Sequence, residues 1–158
     1  MADRSFRWRW LGSRVMWDSG ELVVGGGPQQ GALRLGWEEG DEYVTTLVAT
    51  VSDVGLSARV RVATSAGAGG LAEFLGELAE GFRGWEGART WGSWGRELTA
   101  SAVFRSGGHV AITWAVMGRG AGGEVWRAEV TTVVEAGAEM SALVVEVEAL
   151  VGGGGSQR

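Results

Sequence analysis

The chain has 158 residues, of which 45% are hydrophobic and 21% are charged, and these values are typical of one globular domain. Its formal net charge of −5 excludes a general attraction to nucleic acid or to anionic lipid. Because it contains no cysteine, disulfides, thiolate nucleophiles and cysteine-ligated metals are excluded as well. The first residues lack the apolar run of a secretory signal, and no segment reaches the ~20 apolar residues of a membrane span. We therefore expect a cytoplasmic protein.

The first forty residues are the least regular part of the sequence. Arg7, Trp8, Arg9 and Trp10 alternate, which is typical of a short edge strand with two aromatic side chains on one face. The same alternation could place bases on the rings and phosphates on the arginines, but the acidic net charge favours the edge strand. A breaker at 25–28 and a short segment at 32–37 follow, and the segment is also predicted to be a peripheral or edge strand.

A β-hairpin is predicted from Tyr43 onward. Apolar and β-branched residues alternate to Val51, a turn-like segment follows at 52–55, and the alternation resumes at Leu56. A four-residue loop would set Val51 opposite Leu56 and place both apolar sets on one face of the sheet.

An amphipathic helix is predicted next, because apolar residues recur with helical spacing from Leu71 to Phe82. A glycine- and tryptophan-rich loop is predicted from Arg83 to Gly95.

Three antiparallel strands are predicted between Leu98 and Val134, with the even-numbered side chains facing inward. A three-residue turn at 106–108, with Gly108 left-handed, pairs Phe104 with Val110 and each earlier even residue with its counterpart. The third strand would then set Trp114 opposite Ala128.

A second helix is predicted from near Ala138, with Met140, Leu143 and Val147 on its inner face and its glutamates, including Glu146 and Glu148, outside. Residues 1–151 are then a single α+β domain. In this domain two helices pack on one face of an antiparallel β-sheet of about six to seven strands. Residues 152–158 are predicted to be a flexible glycine-rich tail.

No catalytic, cofactor or metal site is predicted. The GRGAGG segment at 118–123 matches a dinucleotide-binding glycine pattern, but it joins two antiparallel strands where that chemistry needs a strand and a helix. Ser93 lies in a segment that lacks the first glycine of a nucleophile elbow. His109 follows a hairpin turn, where an exposed polar residue is expected. The acidic run at 38–42 is predicted to be a solvated loop without calcium-ligand spacing.

The segment from Arg83 to Glu97 carries three tryptophans and is the candidate binding site. One interpretation is that these rings fill the gap between helix and sheet. The other is a recognition surface for a protein or ligand, because Trp and Arg dominate binding hot spots. Under that interpretation, Ala substitution of Trp85 and Arg89 should abolish partner binding and leave the melting temperature nearly unchanged. The candidate residues are Trp85, Glu86, Arg89, Trp91, Trp94 and Arg96.

Several motifs resemble those of an actinobacterial family of unknown function, domain of unknown function 6228. They are the helix at 71–82, the segment FRGWEGARTW at 82–91, GGHV at 107–110 and AGAEM at 136–140. The resemblance covers about residues 40–151 and implies no catalytic residues, because no activity is assigned to that family. More distantly, the order of strands and helices resembles immunity proteins that neutralise contact-dependent toxins.

These observations predict a non-enzymatic protein-binding module with a protein partner, and in its most specific form an immunity-type protein. The alternative is a small-molecule-binding protein or enzyme with a pocket between the helices and the sheet, near Trp91 and Trp94.

Overall fold

The computed structural model describes residues 16–18, 21–39, 45–63 and 70–155. The Arg7–Trp10 alternation, Tyr43 and Val44 lie outside these ranges. In chain order the elements are β1 (Met16–Asp18), β2 (Glu21–Gly25), β3 (Ala32–Glu39), β4 (Thr45–Asp53), β5 (Leu56–Val62), α1 (Leu71–Glu80), β6 (Ala88–Gly92), β7 (Leu98–Arg105), β8 (His109–Arg119), β9 (Val125–Glu135) and α2 (Ala138–Gly155).

The strands form two antiparallel sheets, so the α+β class is confirmed and the prediction of one sheet is wrong. Strands β1 to β5 make the first sheet and β6 to β9 the second, each in sequence order. The alternation of apolar and polar residues shows which face of a strand is buried, but it does not show how many sheets the strands form. Two sheets that share a core and one sheet covered by helices give the same alternation. The inner faces of both sheets and the apolar faces of both helices contribute to a single core cluster.

The first hairpin differs from its predicted register by two residues. Its loop is Val54-Gly55, with Gly55 at φ 74°, so Val51 lies opposite Ala58 and Leu56 lies opposite Asp53. A shift of two leaves every side chain on its predicted face, because side chains in a strand alternate with a period of two. Strand β3 continues to Glu39, so Glu38 and Glu39 belong to a strand and not to the predicted loop. It pairs with both β2 and β4, so the prediction of an edge strand at 32–37 is wrong.

In the second sheet, the predicted β7–β8 register is confirmed from Leu98↔Val116 to Phe104↔Val110. The β8–β9 register was wrong by two residues, since Trp114 lies opposite Val130. The bond from Gly120 N to Glu124 O at 2.7 Å follows the observed register, so the turn is centred on Gly122, one residue later than the predicted pairing required. Trp114 is 1% exposed, and its indole nitrogen donates to the hydroxyl of buried Thr132 at 3.0 Å.

Both helices bury the predicted faces, and their ends differ from the prediction. Helix α1 stops at Glu80, and Phe82 lies beyond it with 53% exposure instead of in the core. Helix α2 continues to Gly155, through most of the segment predicted to be a flexible tail. It packs on α1, β2 and β9, and Trp37 anchors it by donating from Nε1 to the Leu150 carbonyl at 2.9 Å. Within the described residues, neither helix has the length and apolarity needed to cross a membrane.

Candidate functional site

The segment from Arg83 to Glu97 is not one loop, as predicted, because it contains strand β6 at the edge of the second sheet. In the β6–β7 ladder, Arg89 lies opposite Ala102 and Trp91 lies opposite Ala100. Ala100 and Ala102 are buried on the inner face. The pairing therefore directs the Arg89 and Trp91 side chains toward the same side as the core.

The Trp85 ring packs beside Gly81, at the C-terminal end of helix α1. It makes an edge-on contact with Phe104 at 5.4 Å between centroids, and the Arg89 guanidinium lies 4.4 Å from the Trp85 ring centroid. A Cβ atom at Gly81 would lie 3.0 Å from both the Trp85 ring and the Arg89 guanidinium, so glycine at the helix end allows this close packing. The Trp85 indole nitrogen is buried, and no acceptor within the described residues reaches it.

Arg89 and Trp91 also contact helix α1. Arg89 donates from NH1 to the Glu77 carbonyl at 3.4 Å, near the C-terminal end of the helix where a positive charge is favourable. Trp91 stacks on Phe74 with 6.4 Å between ring centroids and 28° between planes. Two of the three tryptophans thus lie between helix and sheet, as in the first of the two interpretations. We therefore expect replacement of Trp85 or Arg89 to cost stability, whereas the recognition-surface interpretation predicts a nearly unchanged melting temperature. Glu86 is exposed beside them.

The third tryptophan, Trp94, points into solvent from the β6–β7 turn and is 80% exposed. Ser93 holds this turn. Its hydroxyl donates to a Glu97 carboxylate oxygen at 3.0 Å and accepts from the Leu98 N–H at 3.2 Å, and its carbonyl accepts from the Arg96 N–H at 2.9 Å. Arg96 has φ 63°, a left-handed conformation that is uncommon for a residue other than glycine. The exposed side chains of Trp94 and Arg96 therefore lie on a turn whose conformation is fixed by hydrogen bonds.

An open groove of about 460 Å³ begins at this turn. Gly95 and Glu97 line one side of it, and strand β5 lines another. The β8–β9 hairpin completes the groove, and the Trp126 ring there lies across Gly118, where a Cβ atom would be 2.5 Å from a ring carbon. The lining residues are Arg59, Val60, Arg61, Gly95, Glu97, Met117, Gly118, Arg119, Val125 and Trp126.

Sequence reasoning did not identify this groove. The alternation of Arg59, Val60 and Arg61 shows two arginines on the exposed face of a strand, and Arg119 is visible beside a glycine-rich loop. Those signals do not say that the two segments meet. Strand β5 and the β8–β9 hairpin lie close together because of how the two sheets pack, and a prediction of one sheet gives no information about that packing.

The geometry assigns structural or solvated positions to the polar residues considered for catalysis. Ser93 lies between two antiparallel strands, and its hydroxyl is bonded within its own turn. His109 is exposed at the start of β8, and the GRGAGG segment lies at the predicted hairpin. No group of three potential metal-ligating side chains occurs in the described ranges.

Among the described carboxyl groups, Glu146 on α2 stands out because its pKa is raised. It was predicted to lie outside, but it is half-buried and its Oε1 atom is buried with no partner among the described residues. This burial raises its pKa, because the charged form loses hydration.

Comparison with known proteins adds a family. Neither the curated proteins nor the solved structures contain a significant match to the chain. The family of unknown function DUF6228 matches residues 25–154. These residues include strands β3 to β9, helix α1, helix α2 up to its last residue, the tryptophan-rich segment and the groove. The chain therefore belongs to the family of unknown function DUF6228.

Proposed function

We propose that this protein is a non-enzymatic protein-binding module whose contact surface centres on the β6–β7 turn. The observation that carries the proposal is the 80% exposure of Trp94, at a turn held by four hydrogen bonds of Ser93. An exposed indole on a rigid turn loses little conformational entropy on binding and can bury a large apolar area. Arg96 adds an exposed positive charge beside it, and Trp and Arg are the residues most enriched in binding hot spots.

The finer form of the proposal is a cytoplasmic, immunity-type protein, which would act by occupying a partner's surface. A partner that is mainly basic would be attracted by the net charge of −5. That attraction accelerates association, whereas the exposed tryptophan supplies affinity at the contact.

The test is affinity capture from a lysate of the organism that encodes the protein. Wild type and Trp94→Ala are used as baits, with Phe82→Ala as the matched control. Phe82 is also an exposed aromatic residue, and strand β6 separates it from Trp94. We expect a protein that wild type and Phe82→Ala retain and that Trp94→Ala loses. If all three baits retain the same proteins, the Trp94 surface is not the binding site.

The groove supports a second candidate function, a small-molecule-binding protein. Its volume of about 460 Å³ lies within the ~300–1,000 Å³ range of ligand pockets. It lies between the two sheets and not between helices and sheet, where the pocket was expected. A thermal-shift screen with metabolites should show a rise of several degrees that Trp126→Ala removes, and no rise with any compound would count against this candidate.

A further inference from the structure

Strand β5 lies along one side of the groove beside Trp94. Strand β5 ends the first sheet and, in the described part of the chain, pairs with β4 alone. The two-residue loop makes Asp53 and Leu56 the pair that closes the hairpin. From that pair, the alternation of an antiparallel ladder directs the backbone N–H and C=O groups of Arg59 and Arg61 away from β4. An unpaired edge of this kind is a template for one more strand.

The side chains that line the groove are unusually basic for this chain. Three arginines and one glutamate line it, although the whole protein carries a charge of −5. Arg59 and Arg61 share one carboxylate, that of Glu38, at 3.8 Å and 3.2 Å, and their side chains are 63% and 73% exposed. Arg119 donates to the Gly123 carbonyl at 3.0 Å and is also exposed. Each guanidinium carries five N–H donors, so donors remain for further carboxylates.

The rest of the lining is apolar and comes from Val60, Met117, Val125 and Trp126. An edge strand, apolar contacts and guanidinium groups together match the requirements of an extended peptide. Its backbone would pair with β5, and its alternate side chains would reach the arginines. Carboxylates suit these positions because Arg binds them in a planar, bidentate geometry.

We propose that the groove binds an acidic, extended segment of a partner protein, which adds to the first sheet as a strand beside β5. This inference rests on the proposed function and specifies the chemistry of one segment of the partner, whose net charge over the rest of its surface is basic under that proposal. A phosphate backbone could also contact the arginines, but it has no peptide N–H and C=O groups in strand spacing and therefore could not pair with the β5 edge.

The test uses the full chain and two labelled octapeptides in fluorescence anisotropy, one alternating Glu and Val and the other alternating Lys and Val. We expect the glutamate peptide alone to bind, with the affinity reduced at least tenfold in Arg59→Gln/Arg61→Gln. The control Arg34→Gln/Arg105→Gln removes two exposed arginine charges outside the groove and should bind like wild type. A glutamate peptide with N-methyl groups on alternate amides separates strand addition from simple charge attraction, and we expect it not to bind.

Four outcomes would overturn the inference: no binding of the glutamate peptide, equal loss in both double variants, equal binding of the N-methylated peptide, or binding of a double-stranded oligonucleotide in its place. Self-association that the Arg59/Arg61 variant abolishes would also overturn it, because the occupant would then be a second copy. Failure here is distinguishable from failure of the proposed function. If capture of a protein still depends on Trp94 while the groove arginines are dispensable, the turn binds a partner and the groove does not.

Discussion

The contrast between Trp85 and Trp94 gives the sharpest test of how the tryptophan-rich segment works. Both residues are changed to Ala, so the chemistry of the substitution is matched. Trp85 loses an edge-on contact with Phe104, about 0.5–1.5 kcal/mol, and a cation–π contact with Arg89, about 0.5–1 kcal/mol. Loss of the buried ring area adds to these, so we expect a total of about 2–4 kcal/mol, below the value for a fully buried tryptophan.

In a chain of this length, 1 kcal/mol shifts the melting temperature by about 2–4 °C. Trp85→Ala should therefore lower it by roughly 5–15 °C, whereas Trp94→Ala should change it by less than about 2 °C, since Trp94 is largely exposed. Circular dichroism during heating and urea titration measures both variants. Trp85→Phe is the control for ring packing, because it keeps a ring against Phe104 and removes the unpaired indole N–H. Equal melting temperatures for Trp85→Ala and wild type would refute the assignment of Trp85 to the core.

Three further predictions concern the core, the buried carboxyl group and the glycine turns. Thr132→Val leaves the Trp114 indole N–H without its acceptor, and it should lower the free energy of unfolding in urea denaturation by about 1–3 kcal/mol. If the effects of Thr132→Val and Trp114→Phe were additive in a double-mutant cycle, the hydrogen bond would contribute nothing. The raised pKa of Glu146 means that its contribution to stability is present below the ordinary pKa of 4.5 and is lost as pH rises through the folded-state pKa. Glu146→Gln should therefore gain melting temperature relative to wild type between pH 4 and pH 7, and a constant difference would contradict this sign. Both Gly25 and Gly55 have positive φ, which costs a non-glycine residue about 1–2 kcal/mol, but only at Gly25 would a Cβ atom meet a backbone atom, at 2.5 Å. Gly25→Ala should therefore destabilise the protein more than Gly55→Ala does. Equal losses of stability in thermal denaturation would contradict the close contact.

Local periodicity was sufficient where a single ladder or a single helix face decided the structure. The even-numbered residues from Leu98 to Ala102 and from Val110 to Val116 are buried as predicted, and Phe104 is half-buried. The predicted β7–β8 register is confirmed. The two register errors were each two residues, at turns whose loop length the composition did not define. The β8–β9 error placed Trp114 opposite Ala128 instead of Val130. The hydrogen bond from Trp114 to Thr132 could therefore not be predicted.

The candidate site shows the same division. The sequence indicated that the tryptophan-rich segment is unusual, but it could not say which rings face the core. Trp85 and Trp91 turn inward because β6 pairs with β7 and because the end of α1 lies over that edge, while Trp94 lies in a turn and points outward. The groove of Arg59, Arg61 and Arg119 was not visible either.

The sequence by itself determined the α+β class, the positions of β3 to β5, of β7 to β9 and of both helices, and the buried faces of β4, β5, β7 to β9 and the helices. These properties depend on side-chain periodicity within one element, which is a local feature of the chain. Only the tertiary structure decided that the strands divide into two sheets, that β5 is an edge strand among the described residues and that the β8–β9 hairpin lies beside it. Such proximity depends on how distant elements exclude water from a shared core, and no local pattern records which elements will meet.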